Sequence, residues 1–65
     1  MKVKDLLYMC DSDVRASVYE IETDHIYLKP DSVGKLLNCG HWILNEEVQE
    51  LTITDKILYI SVVVE

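Results

Sequence analysis

Phenylalanine is absent from this 65-residue chain, whose aromatic complement is one Trp and four Tyr. The core must therefore be built mostly from Val, Ile and Leu, with Trp42 the largest single side chain on offer. Glycine occurs only as Gly34 and Gly40, which excludes a Gly-rich phosphate loop. Basic residues are scarce: six Lys and Arg stand against twelve Asp and Glu, for a net charge of −6. Nucleic-acid affinity rests largely on Lys and Arg at phosphates, so direct nucleic-acid binding is not expected. The same balance disfavours an anionic membrane surface. No run approaches the ~20 apolar residues of a membrane span. Met1-Lys2-Val3-Lys4-Asp5 meets an acid at once and lacks the apolar stretch of a signal peptide. A cytoplasmic protein is expected, in which Cys10 and Cys39 read as reduced, buried thiols rather than as a disulfide.

What is present is an apolar fraction of 49%, that of a globular chain. Residues 1–65 make one domain, near the lower limit at which a chain buries enough apolar surface to fold alone. Association would offset so thin a core, and a homodimer is expected on that ground.

Val3, Leu6, Leu7 and Cys10 follow the spacing of one helical face, predicting a short helix over 3–10. Asp11-Ser12-Asp13 breaks it. Val14 to Ile21 then alternates as a half-buried strand, with Val14, Ala16 and Val18 on one face and Arg15, Ser17 and Tyr19 on the other. After the polar Glu22-Thr23-Asp24, the strand His25–Leu28 returns and is expected to stop before Pro30. Asp31 or Ser32 can cap a second helix burying Val33, Leu36 and Leu37, with Gly40 suited to a left-handed position beyond its end. His41-Trp42-Ile43-Leu44 fits a short extended segment plugging the core or the lead-in to a strand. Val48 to Glu65 reads as a hairpin turning at Asp55-Lys56. Its second arm, Ile57 to Val64, is apolar at both parities and so requires cover on both faces or a partner along its edge. The order α-β-β-α-β-β predicts an α+β two-layer sandwich, two short helices on one face of a mostly antiparallel sheet.

This order carries a resemblance. Val3-Lys4-Asp5-Leu6-Leu7, the acidic turn at Asp11 and Asp13, and the strand ending in Val18-Tyr19 resemble small proteins encoded by phages and prophages of Gram-positive bacteria. So does the closing pattern Val48, Leu51, Ile53, then Leu58, Ile60 and Val62. The similarity spans most of the chain as pattern. Cys39 to Leu44 has no counterpart in it, and the second helix lacks the acidic run usual there. The resemblance implies a mobile-element origin and an accessory role, and it implies no catalytic residues. Small acidic phage proteins include inhibitors of host defence nucleases, which makes a host protein the implied partner.

Chemistry-bearing sets are few. Cys10, His25, Cys39 and His41 supply two thiols and two imidazoles, a set that suits zinc, but only Cys39 and His41 are close in sequence. The paired spacing of a zinc site is missing, so no metal or other cofactor is expected. Cys39 and His41 could act as nucleophile and base, yet no third group orients them. Neighbouring acids such as Asp11 with Asp13 and Glu46 with Glu47 are ordinarily solvated turn formers. The chain is read as a non-enzyme.

Interaction candidates are better represented. Tyr8, Tyr19, Tyr27 and Tyr59 can form a contact patch, with Tyr19 and Tyr27 cross-strand neighbours. Trp42 fits a hot-spot anchor or a core plug, and the shortage of other bulk favours the plug. Glu20, Glu22 and Asp24 cluster at one hairpin tip, and Glu46, Glu47 and Glu50 form a second group. Converging, they would present a row of carboxylates to a basic groove, although solvated charge is the plainer account of them. Val62, Val63 and Val64 are candidates for a self-pairing seam. Two function classes stay open. One is a protein-interaction module of a mobile element, an inhibitor of a host defence protein in its sharpest form. The other is a structural homo-oligomer joined through the final strand. A small zinc-binding domain stands behind them.

Overall fold

A computed structural model describes residues 1–64; Glu65, at the end of the expected hairpin, lies outside the described residues. The elements are α1 (Val3–Tyr8), β1 (Arg15–Glu20), β2 (Ile26–Ser32), α2 (Val33–Leu37), a 3-10 turn η1 (Trp42–Asn45), β3 (Glu50–Thr54) and β4 (Ile57–Val62). The class is α+β: two short helices and one four-stranded sheet in the order β2-β1-β4-β3.

The sheet is mixed, which corrects the mostly antiparallel expectation. β1 pairs with β2 and β4 with β3 antiparallel, but the two inner strands run parallel, Arg15 beside Ile57 through Glu20 beside Val62. The physical reason is that the two hairpins meet through their inner arms, β1 and β4, with both arms pointing the same way.

β4 is thus an inner strand with both backbone edges occupied. Its apolar character at both parities reflects that position, and it offers no edge for a second copy. The seam expected at Val62, Val63 and Val64 is corrected on this ground. Val62 is fully buried, Val63 and Val64 are half-buried, and the Val64 N–H donates to the Glu20 carboxylate at 3.2 Å.

Ala16, Val18, Leu28, Ile60 and Val62 form one core with Val3, Leu6 and Leu7 of α1, Val33 and Leu36 of α2, and Ile43 and Leu44 of η1. Ser32 caps α2 by accepting from the Lys35 N–H, and Gly40 takes the left-handed conformation at φ 68°. Gly34 has its own reason to lack a side chain: its N–H donates to the Ser12 carbonyl, and an added Cβ would meet the Ser12 Cβ at 3.3 Å.

Three further expectations change. β2 runs on through Pro30 to Ser32, because Pro30 lies on an outer strand, where a residue without an N–H is tolerated. Trp42 is 51% exposed and is no core plug. The 3-10 turn directs the next two residues, Ile43 and Leu44, inward instead. Cys39 is exposed rather than buried, and both cysteines are free thiols.

Candidate protein-interaction surface

Side chains alternate across a strand, so the register assigns each residue to a face. Ala16, Val18, Ile60 and Val62 point to the core. Opposite them, Ser17 aligns with Tyr59 and Thr52, Tyr19 with Ser61 and Ile26, and Ile57 with Thr54. Ser17, Tyr19, Ile26, Pro30, Thr52, Thr54 and Tyr59 line an open groove of about 470 Å³, with Asp24 at its end. Ser17 is its small floor: buried, its hydroxyl donates to the Leu28 carbonyl at 2.7 Å. Tyr19 and Tyr59 stand over that floor, half-buried.

The groove crosses the β1–β4 parallel pair. Parallel strands are ordinarily covered on both faces. Here α1, α2 and η1 supply the core on one side, and the groove side carries hydroxyls, two phenols and two apolar residues.

Tyr27 does not join this surface, which corrects its expected pairing with Tyr19. Tyr19 is paired with Ile26 and Val18 with Leu28, so Tyr27 is the extra residue of a bulge. It packs instead against the core and against three other rings. The ring centroids lie 4.7 Å from His25, 6.4 Å from His41 and 5.4 Å from Trp42. His41 Nδ1 accepts from the Ile43 N–H at 3.0 Å, which caps η1 and commits that nitrogen. Cys10 is elsewhere, its thiol donating to the Leu6 carbonyl. Among the described residues, no three His, Cys, Asp or Glu side chains converge as metal ligands.

The two acidic groups lie at the same end of the sheet, though not as an unbroken row. Glu20 lies beside Val62 and Glu50 beside Ser61, which sets the 21–25 turn and the start of β3 at the same end. Ile21 and Gln49 both donate to β4, at Val62 and Ser61, so their backbones are about 10 Å apart, two strand spacings. Asp11 and Asp13 precede β1 and lie at the opposite end. Glu20 is buried on the core side, holding the Val64 N–H, and is withdrawn from the acidic surface. Glu47 binds the Met1 amine at 2.8 Å, and Glu46 is half-buried. Glu22, Asp24 and Glu50 remain exposed, without an ion pair among the described residues. The Met1 amine pKa is raised above its ordinary value by its hydrogen bond to Glu47 and by that carboxylate's charge.

The sequence reading missed Ile26, Pro30, Thr52 and Thr54 of the groove. Their signal was present as strand parity but needed a register to be usable. It also missed Leu51 and Ile53. Aligned with Ile60 and Leu58, these two point to the helix side, yet they are 49% and 76% exposed because, among the described residues, neither helix packs closely on β3.

No helix among the described residues is long and apolar enough to cross a membrane. No protein-family model matches the chain, and neither does any curated protein or solved structure.

Proposed function

We propose that the protein is a non-catalytic interaction module of a phage or other mobile element, acting on a host protein in the host cytoplasm as an acidic inhibitor. In this reading the molecule is a two-layer sandwich in which the helices cover one face of the sheet and the partner covers the other. The observation that carries it is the groove of Tyr19, Ile26, Pro30 and Tyr59 over a central parallel pair, a place that parallel strands seldom leave open. Tyr is enriched at interfaces because it couples a rigid apolar ring to a hydroxyl. Asp24 at the groove's end, with Glu22 and Glu50 nearby, fits a partner carrying Lys or Arg. The resemblance to small phage proteins supports the host as the source of that partner.

The test is capture from a Gram-positive lysate with the wild type and with Tyr19→Ala/Tyr59→Ala as paired baits. The expected result is one host protein held by the wild type at low salt, weakened at moderate salt and lost with the double variant. Equal capture by both folded baits would remove the groove from the interface.

A further inference from the structure

The free edge of β3 is a self-complementary strand, and we propose that two copies of this chain join there, antiparallel about Thr52, into one eight-stranded sheet. The inference stands apart from the groove's partner, since it uses the edge of the sheet rather than its face.

All five residues of β3 are exposed, and the strand borders the sheet. Asp55 and Lys56 both have positive φ, 51° and 65°, which makes the connection to β4 a two-residue type I′ turn. In such a hairpin Thr54 and Ile57 are a hydrogen-bonded pair, and bonding alternates from there. Thr52 therefore turns its backbone groups toward Tyr59, while Leu51 and Ile53 turn theirs outward.

A two-fold axis at Thr52 places Leu51 opposite the partner's Ile53, and Ile53 opposite the partner's Leu51. Those are the residues with outward groups, so each pair exchanges two hydrogen bonds and all four donors are used. Thr52 meets the partner's Thr52 as the intervening non-bonded pair, in keeping with the same alternation. An isologous interface demands this kind of reciprocity.

The side chains agree with the backbone. Leu51 and Ile53 lie on the helix side of the sheet, uncovered, and four such residues would close over one another in the dimer. No like charges stand opposite within the paired segment, where Glu50 faces the partner's Thr54. A contact of five residues per chain is small, so association in the micromolar to millimolar range is expected.

The experiment is solution mass measured over that concentration range. Wild type is expected to rise from one chain mass toward two. Leu51→Lys and Ile53→Glu, each folded by circular dichroism, are expected to remain at one chain mass alone. Mixed, they are expected to form a heterodimer. The lysine introduced in one chain then faces the glutamate introduced in the other, while the unaltered Ile53 and Leu51 meet at the second pair. A wild type of one chain mass throughout would overturn the proposal. So would single variants that still self-associate, or a mixture that yields no heterodimer.

Discussion

β2 and β3 border the same sheet, yet they treat an unpaired backbone in opposite ways. β2 holds Pro30, the exposed Lys29 and two irregularities, one at Tyr27 and one where Lys29 and Pro30 together oppose Ser17. α2 follows it directly and packs against it. Every one of these devices discourages another strand from adding on. Within Glu50–Thr54, β3 has no proline, no Lys or Arg and an unbroken register, and it leaves two apolar side chains in water. One edge is guarded by its own sequence; the other carries none of these devices.

The largest test of that contrast is a pair of truncations. Leu28→Ala on β2 removes a buried core side chain and is expected to cost about 2–4 kcal/mol in urea unfolding. Ile53→Ala on β3 is expected to change the stability of the monomer by less than about 0.5 kcal/mol. Comparable losses at both sites would mean that β3 is covered within the monomer. Next comes Ser17→Ala, which strips the Leu28 carbonyl of a buried donor beside the bulge. A loss of about 1–2 kcal/mol is expected, and an unchanged midpoint would show that the bulge holds without it. Trp42→Ala, which uncovers Tyr27 at the closed edge, should cost about 1 kcal/mol from the ring contacts. A loss near that of Leu28→Ala would return Trp42 to the core.

The smallest effect concerns the approach to β3. Lys2 bridges to Glu47, and the Met1 amine pairs with the same residue just before β3 begins. The amine pKa is raised by folding, so its contribution is complete below the ordinary value of 8.0 and fades as pH rises through the folded value. A small fall in melting temperature from neutral to alkaline pH is expected, flattened in Glu47→Gln. Identical profiles for both proteins would separate this ion pair from the fold.

The α+β class is legible in the sequence because punctuation is local: Asp11-Ser12-Asp13, the Ser32 cap, Gly40 and Asp55-Lys56 each act within a few residues. What is illegible is non-local. β4 can be recognised as a central strand but not assigned its neighbour, since Ile57 meets Arg15 from the far end of the chain. Pro30 reads as a stop because its tolerance depends on lying at an edge. Trp42 reads as interior because a 3-10 turn and an extended segment direct the same four side chains differently. The carboxylates near the groove are half legible, Glu22, Asp24 and Glu50 as surface acids, whereas Glu20 is hidden by a parity that turns it to the core.

The parallel alignment of β1 with β4 also governs how the molecule comes into being. Each hairpin closes over a few residues and can form within microseconds. Joining the hairpins requires closing the long stretch between Arg15 and Ile57, an entropic cost met before Ala16, Val18 and Ile60 gain any mutual contact. Until β4 docks, the inner edge of β1 has no strand partner. If this non-local pairing is the slow step, as its sequence separation predicts, substitutions along it should slow refolding more than equally destabilising ones within either hairpin.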